Sequence, residues 1–512
     1  MKSIKTSLVF FILFAFFQLV RPQDSDKSHY DDDLQSIKKK GYSTDACMRM
    51  AEDFLRTGTE QIKAIPYLEY VLSKDRDSRP NALHMLSQAY YYCGKFDKAV
   101  ELLTEYIGKE KDKHLVRDAK SELEQYKNAQ KIASCPLNAE LINLGPEING
   151  PYAEINPYVS QNENLMVYSS NRSKSYNIYV SKKEGIETNW AKSKLAGAYI
   201  NSVNDEFVAG LSSTGKNLFV HYNQSSNFED INMSIRERGL YRELNDPGTK
   251  INSLYREEGV CTTEEGDTMY FSSDRPGGYG GLDIYYSLKL PDGSYGTAIN
   301  LGENVNTKFD ENYPNLSPNG NKLYFASKGH NSIGGYDIFY TTRDPNSNEW
   351  ARPVNLGYPI NNAFDNKSIT FTNDPRYAYI STIDLNTLGD YDIYKVVFLD
   401  LDPEYLIVKT QVNFLEDGKL VPFSSSDNHL EITLFKDQDV YGKYALDKRN
   451  NSFVMALSPG SYIIELVCTN FKPYRKKVNI QENYYKNNLR TLKIRLEKNN
   501  PVESLSAGEN QK

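Results

Sequence analysis

Four glutamates occupy one recurring position in the middle of this chain, and their type and spacing suggest chemistry. Each lies five residues after a recurring asparagine; they are Glu154, Glu206, Glu257 and Glu311. A fifth copy has Asn366 there, and three copies have an acid one residue earlier: Asp205, Asp310 and Asp365. Equivalent residues of a circular repeat form a ring about its axis, so these carboxylates are candidates to hold a cation or a basic peptide end at a channel mouth. The alternative is architectural, with each carboxylate accepting backbone N–H groups at a repeat junction.

The sequence lacks the common motifs of catalysis. It has no Gly-x-Ser-x-Gly elbow and no His-Glu-x-x-His pair, and its histidines are scattered: His29, His84, His114, His221, His330 and His429. The glycine runs 277–281 and 334–335 are not followed by the Lys-Ser/Thr of a phosphate loop, and we attribute them to hairpins that need positive φ. We predict no enzymatic activity, no catalytic residue, no cofactor and no metal beyond the candidate cation ring.

A repeat of short strand-like segments positions these carboxylates. One phrase returns as Asn177-Ile178-Tyr179, Asp230-Ile231-Asn232, Asp283-Ile284-Tyr285, Asp337-Ile338-Phe339 and Asp392-Ile393-Tyr394. Successive copies begin 53, 53, 54 and 55 residues apart. The asparagine before each glutamate recurs as Asn149, Asn201, Asn252, Asn306 and Asn361. This period is typical of a β-propeller, predicted over residues 140–398 with five visible repeats and either five or six blades. We interpret the repeated aspartate as a turn cap and not as a ligand.

The repeat unit resembles the TolB-type, WD-like propeller repeat. Its most typical copy begins Ser272-Ser273-Asp274-Arg275-Pro276-Gly277-Gly278 and continues to the phrase at Asp283. The second copy departs most, with Val220-His221-Tyr222-Asn223 in place of the Ser-Ser phrase. Propellers often serve as scaffolds, so a binding role is favoured over a catalytic one.

Residues 43–133 have the apolar spacing of helices. One stretch resembles a tetratricopeptide repeat, with its core, turn and small residues at Leu86, Tyr90, Gly94, Phe96, Ala99 and Leu103. The small Ala99 would let two helices approach closely. Such arrays bind peptides or proteins on a concave face, and we predict partner binding through Tyr90, Tyr91 and Tyr92. The alternative is a helical spacer without a ligand.

Residues 404–497 change to alternating apolar patterns, as at Val408, Val412 and Phe414. With Pro459-Gly460-Ser461-Tyr462 between two strands, this region resembles the carboxypeptidase-regulatory, transthyretin-like β-sandwich, an accessory module without peptidase activity. About seven short strands are expected. Residues 498–512 are predicted to be a disordered tail.

The N-terminus has the pattern of an export signal. Lys2 and Lys5 precede an apolar run, and residues 1–23 are predicted to be a signal peptide, with an uncleaved anchor as the alternative. Cleavage after Gln23 would leave 57 basic and 67 acidic side chains, which argues against nucleic acid as a partner. Export permits a disulfide among Cys47, Cys93 and Cys135, but buried, unpaired thiols explain the five cysteines as well.

The order of signal, helical repeats, propeller and sandwich resembles PorE-type periplasmic proteins of the type IX secretion and gliding machinery of Bacteroidetes. That resemblance covers residues 43–497 and implies a periplasmic, non-enzymatic scaffold that binds other envelope or outer-membrane proteins. Members of that family typically end in an OmpA-like domain that grips peptidoglycan. This sequence shows none after the sandwich, so contact with peptidoglycan is not expected from it.

A second hypothesis is a propeller that binds or hydrolyses carbohydrate through its channel carboxylates. Glu206, Glu257 and Glu311 would then be the acids, and two of them would have to stand at a defined separation in a cleft. An aromatic-lined pocket over the channel would favour this hypothesis, whereas a narrow channel closed by side chains would exclude it.

Overall fold

The computed structural model describes residues 33–499 except 59, 184–188, 224–228, 345–346, 348, 385, 401–405, 424–428, 437–438, 458–459 and 481–488. The predicted signal peptide and most of the predicted tail lie outside the described residues. The chain divides into two compact units, with the boundary between Tyr126 and Lys127. Within the described part, no helix combines the length and apolar character needed to span a bilayer.

Helices make up the first unit. Helix α1 covers the described residues 33–40; the later helices are α2 Thr44–Arg56, α3 Ala64–Lys74, α4 Pro80–Tyr92, α5 Phe96–Lys109 and α6 Lys113–Ala133. Ser43 Oγ caps α2 by accepting the N–H of Ala46 at 3.2 Å, and Pro80 begins α4. Gly94 turns the chain between α4 and α5 with φ of 69°. Ala64 and Ala99 are fully buried where the helices pack, and close helix approach is the role predicted for Ala99.

Five four-stranded antiparallel sheets follow, each a blade with its first strand innermost. Blade 1 contains β2 Glu154–Val159, β3 Leu165–Ser170, β4 Asn177–Lys182 and β5 Lys194–Leu195. Blade 2 contains β6 Glu206–Leu211, β7 Asn217–Asn223, β8 Glu229–Glu237 and β9 Leu240–Tyr241. Blade 3 contains β10 Glu257–Thr262, β11 Thr268–Ser273, β12 Asp283–Leu288 and β13 Ile299–Asn300. Blade 4 contains β14 Glu311–Leu316, β15 Lys322–Ser327, β16 Asp337–Thr342 and β17 Val354–Asn355.

The fifth blade closes the ring with strands from both ends of the propeller. It contains β18 Ile369–Phe371, β19 Tyr377–Thr382 and β20 Asp392–Phe398, and its outermost strand is β1 Ala139–Asn143. Strand β1 pairs antiparallel with β20, from Ala139 opposite Phe398 to Asn143 opposite Tyr394. The fold is therefore a closed propeller, and it has five blades. Each interior between blades is a separate apolar cluster, such as that of Tyr158, Val167 and Val208.

The innermost strands of neighbouring blades contact one another directly. Asn315 Nδ2 donates to the carbonyl of Ile369 at 2.7 Å, and Thr370 Oγ1 donates to that of Pro157 at 3.0 Å. A Cβ on Gly210 would lie 1.9 Å from the carbonyl oxygen of Val260, so only glycine fits there.

Two further sheets share one core at the C-terminal end. One contains β21 Leu406–Glu416, β22 Lys419–Val421, β25 Ser452–Leu457 and β28 Leu489–Glu497. The other contains β23 Leu430–Lys436, β24 Asp439–Tyr444, β26 Gly460–Cys468 and β27 Tyr474–Ile480. The alternating residues Val408, Val412 and Phe414 all point into the shared core, as their spacing predicted.

Candidate functional site

The predicted ring glutamates each begin the innermost strand of a blade, and all are buried. Glu154, Glu257 and Glu311 are fully buried, and Glu206 is 2% exposed. Their carboxylates accept hydrogen bonds from groups of their own blade, chiefly the loop before the innermost strand and the end of the second strand. The structure therefore places the glutamates at equivalent positions but does not gather them at an open channel mouth.

In blades 1 and 3 an arginine neutralises the carboxylate. Glu154 Oε1 accepts from Ser170 Oγ at 2.7 Å and forms an ion pair with Arg172 at 2.9 Å. Glu257 Oε1 accepts from Ser273 Oγ at 2.6 Å and pairs with Arg275 at 2.9 Å. Each arginine also donates to the carbonyl of the residue directly before the recurring asparagine, Ile148 in blade 1 and Ile251 in blade 3. This bond ties the end of the second strand to the connection that leads into the first.

In blade 4 a glycine replaces this arginine. Gly329 stands eighteen residues after Glu311, the same offset as the arginines, and a Cβ on it would lie 2.2 Å from Thr307 Oγ1. Glu311 is left with neutral donors, namely the N–H and Oγ1 of Thr307 at 2.6 and 2.7 Å and Ser327 Oγ at 2.7 Å. Because it is buried without a cation, its pKa is raised to about 7.

Blade 2 departs further, in agreement with its divergent sequence. Tyr222 replaces the serine that bonds to the carboxylate in blades 1, 3 and 4. Ser202 Oγ donates to Glu206 Oε1, while Glu206 Oε2 is buried without a hydrogen-bond partner among the described residues. Burial raises the pKa of Glu206.

The acids that precede these positions join neighbouring blades. Asp205 Oδ1 accepts the N–H of Tyr176 at 2.7 Å, Asp310 Oδ1 that of Leu282 at 3.1 Å, and Asp365 Oδ1 that of Tyr336 at 3.0 Å. The donor in each case precedes the third strand of the previous blade. These contacts are architectural and span a blade junction.

The recurring asparagines, which we call the leading asparagines, explain why they and the Asp-Ile-Tyr phrase recur with one period. They are Asn149, Asn201, Asn252, Asn306 and Asn361. Asn306 Oδ1 accepts the N–H of Ile284 at 2.8 Å, and its Nδ2 donates to the carbonyl of the same residue at 3.0 Å. The same pair of bonds joins Asn149 to Ile393, Asn201 to Ile178, Asn252 to Ile231 and Asn361 to Ile338. Each amide therefore satisfies both backbone groups of the isoleucine in the preceding copy of the phrase, a contact that the spacing alone did not reveal.

The repeated aspartates cap their own loops, as interpreted from the sequence. Asp283 Oδ2 accepts the N–H of Tyr279 at 2.6 Å, and Asp337 Oδ2 accepts that of Ile333 at 2.7 Å. Both also accept a side-chain amide from the fourth strand, Asn300 and Asn355, at 2.8 Å.

The explanation of the glycine runs by positive φ is wrong for most of their members. Among residues 277–281 and 334–335, only Gly277 has positive φ, at 93°. The other glycines pass close to neighbouring atoms; a Cβ on Gly280 would lie 2.2 Å from the carbonyl oxygen of Phe309, and one on Gly334 would lie 2.7 Å from that of Asn362. Close backbone approach across the blade junction therefore requires them.

The predicted partner-binding tyrosines differ in exposure. Tyr91 is 4% exposed and stacks on Tyr126 with ring centroids 4.0 Å apart, so it belongs to the core of the helical unit. Tyr90 is also buried, and its hydroxyl donates to Glu69 Oε1 at 2.5 Å. Tyr92 is 37% exposed and is the one of the three that presents its ring to solvent. The expectation that Tyr90 and Tyr91 supply surface contacts is therefore corrected.

The described residues contain no group of three or more His, Cys, Asp and Glu side chains placed to hold a metal ion. Cys47, Cys261 and Cys468 are buried free thiols, and Cys135 is an exposed one. A polar cavity of about 490 Å³ opens at the other end of the innermost strands, lined by Gln161, Ser213 and Glu264 among others, away from the glutamates.

The comparisons with known proteins give only distant similarities, and the propeller fold rests on the blades themselves. No family model and no curated protein matches the chain. The putative TolB from Agrobacterium tumefaciens is 17% identical over 50% of this chain and 78% of that chain, with a TM-score of 0.30. A thermostable family-43 glycoside hydrolase is 14% identical over 53% and 93% of the two chains, with a TM-score of 0.37. The catalytic domain of Coprinopsis cinerea GH62 α-L-arabinofuranosidase is 8% identical over 52% and 99%, with a TM-score of 0.34.

Proposed function

We propose that this protein is a non-enzymatic scaffold of the bacterial periplasm that binds other envelope proteins through its helical unit and its propeller. The type IX secretion and gliding machinery is the proposed setting, because the order of modules resembles that family. The single observation that carries the proposal is the use of the recurring carboxylates: each is buried and bonded within its own blade.

The interior positions of the recurring carboxylates give little support to the alternative of a carbohydrate hydrolase. A glycosidase needs two carboxylates free to meet substrate from opposite sides of the bond. Glu257 is held by Arg275 and two serines, and Glu311 has no exposed surface. Substrate would have to displace these interior contacts before it could reach either carboxylate.

Surface composition also favours interaction with proteins. Exposed large apolar side chains are numerous on the propeller connections, and Val203 is 92% exposed. Concentrated apolar surface of this kind is characteristic of protein interfaces. The net charge of −7 gives no support for nucleic acid as a partner.

Photo-cross-linking in intact cells tests this proposal. A photoreactive amino acid at Tyr92 of the helical unit and another at Val203 of the propeller should give discrete adducts with envelope proteins after irradiation, identified by mass spectrometry. Position Asn321, an exposed propeller turn, serves as the control. Adducts from none of the test positions would contradict the proposal. So would hydrolysis of an envelope polysaccharide by the purified protein that is lost in Glu206→Gln.

A further inference from the structure

One face of the propeller concentrates exposed apolar side chains. We call it the upper face: the side on which the innermost strands begin, made by the connections between blades and by the loops between second and third strands. Its exposed large apolar residues are Tyr152, Tyr199, Val203, Leu254, Tyr255, Tyr279, Phe309 and Leu388. Among the described residues, the turns and strand ends of the opposite face have fewer: Leu240, Leu288, Leu290 and Leu399.

These residues come from four of the five blade junctions and not from one irregular loop; among the described residues, the connection from blade 4 to blade 5 contributes none of them. Tyr152, Tyr255 and Phe309 each stand three residues after a leading asparagine, so they occupy equivalent places around the axis. Val203 and Leu254 stand two residues after theirs and are 92% and 78% exposed. This set, which we call the apolar ring, borders the channel mouth at four of its five blade junctions, and burying it against a partner would be favourable.

Inside this ring, aromatic side chains line one side of the mouth where blades 5, 1 and 2 meet. Tyr176 and Phe207 lie with ring centroids 4.9 Å apart. Tyr391 stands at the place in blade 5 that Tyr176 holds in blade 1, directly before the third strand, and Tyr176 contributes to the raised pKa of Tyr391. All three are only partly buried. Aromatic faces at a solvent boundary attract cations.

Two carboxylates near these aromatic side chains have no cationic partner among the described residues. Three cationic side chains of the upper face are already paired: Arg256 with Glu258 at 3.3 Å, Lys328 with Asp310 at 2.7 Å, and Lys367 with Asp365 at 3.4 Å. In contrast, Asp205 and Asp390 form no ion pair with any described residue. Asp205 uses Oδ1 for the N–H of Tyr176, and the side chain of exposed Asp390 makes no hydrogen bond within the described part of the chain.

The electrostatic neighbourhood shows that both carboxylates act on the same aromatic group. Burial and then the charges of Asp390, Asp205 and Glu154 raise the pKa of Tyr176. Asp390 also contributes to the raised pKa of Tyr391. The mouth therefore combines aromatic faces with two unneutralised negative charges, and the apolar ring borders both.

We infer that the upper face docks a protein segment that inserts an arginine or lysine side chain between Tyr176, Phe207 and Tyr391, with Asp205 and Asp390 as its counter-charges and the apolar ring seating flanking apolar residues. This inference rests on the proposed scaffold function and gives it a recognition chemistry. Charge complementarity selects the occupant, because an acidic segment would meet two unpaired carboxylates and a purely apolar one would leave them buried without partners.

Fluorescence anisotropy with defined peptides tests the inference on the full mature chain. The probe is a labelled eleven-residue peptide with arginine at its centre, leucine and tyrosine on both sides, and Gly-Ser ends; the matched probes carry citrulline or glutamate at the centre. We expect the arginine peptide to bind, and citrulline to weaken binding by about tenfold, since loss of a charge partner costs on the order of one factor of ten.

Variants separate the mouth from the rest of the surface. Asp205→Asn retains the acceptor for Tyr176 N–H, so the Asp205→Asn/Asp390→Asn protein should fold while its Kd for the arginine peptide rises about tenfold. Val203→Ser with Leu254→Ser should weaken binding of both the arginine and the citrulline peptide. Glu265→Gln, which removes one exposed charge from the opposite face, should change nothing.

Three results would overturn the inference: no binding of the arginine peptide up to about 1 mM, equal binding of the citrulline peptide, or unchanged binding by the Asp205→Asn/Asp390→Asn protein. If any of these occurs while photo-cross-linking still captures envelope proteins, the recognition chemistry fails but the scaffold function stands. Absence of cross-links from all positions removes the scaffold function itself.

Discussion

Among single residues, the leading asparagines hold neighbouring blades together. One side chain satisfies an N–H and a carbonyl of the preceding blade, and both are buried. A buried backbone group that loses its partner costs about 1–3 kcal/mol, so the asparagine contributes twice at one position.

Asn306→Ala is therefore expected to destabilise the propeller by about 2–4 kcal/mol, because Ile284 loses both partners. Urea unfolding followed by tryptophan fluorescence measures this, since both tryptophans, Trp190 and Trp350, lie buried in the propeller. Asn321→Ala, at an exposed turn, is the matched control and should change stability by under about 0.5 kcal/mol. Equal effects of the two substitutions would show that the paired bonds do not matter.

The buried carboxyl group of Glu311 should make the free energy of unfolding depend on pH. Its pKa is raised from 4.5 to about 7 in the folded chain, so the folded state binds this proton more tightly than the unfolded state. That contribution is complete below about pH 4.5 and is lost as pH rises through about 7. Glu311→Gln should match the wild type near pH 5 and exceed its stability near pH 8, by up to about 3 kcal/mol.

Comparison with another carboxylate controls for the substitution itself. Glu257→Gln leaves Arg275 without its ion pair and should lower stability at both pH values. Asp337, whose pKa is also raised to about 7, contributes equally to the wild type and the variant and cancels in the difference. A stability difference for Glu311→Gln that is constant from pH 5 to 8 would contradict the assignment.

At the scale of elements, consecutive tyrosines in α4 divide between the core and the surface. Tyr91→Ala removes a ring stacked on Tyr126 and should destabilise the helical unit by about 3–5 kcal/mol. Tyr92→Ala should cost under about 1 kcal/mol, because its ring is exposed. Thermal melting followed by circular dichroism at 222 nm reports on these helices. If Tyr91→Ala melted like Tyr92→Ala, the packing described for α4 and α6 would be wrong.

The apolar periodicity of α4 identified its buried face but could not divide three adjacent tyrosines. Successive helix positions are about 100° apart, so Tyr90, Tyr91 and Tyr92 cover more than half the circumference. Which edge of that arc is buried depends on the neighbouring helix that supplies Tyr126. Likewise, the glycine runs were recognised as loops, but the close approach of Phe309 and Asn362 that requires them comes from the next blade.

At the scale of the whole molecule, the repeat phrase predicted the propeller, and the structure adds its closure. The blade count remained open in the sequence because β1 carries no copy of the phrase and pairs with a strand about 250 residues later. The position of the carboxylates was also readable from the sequence. Their interior bonding was not, because the arginine or glycine at the matching offset decides how each glutamate is neutralised.

Calcium-dependent melting tests whether the recurring carboxylates serve to build the blades or instead hold a cation. Because each carboxylate is buried and bonded within its blade, we expect the wild type to melt within about 1 °C of the same temperature in 10 mM CaCl₂ and in EDTA. Glu206→Gln/Glu311→Gln should show no calcium dependence either. A site occupied at about 100 times its Kd would stabilise the fold by about 2.7 kcal/mol, a shift of several degrees. Such a shift in the wild type, lost in the double variant, would contradict the account.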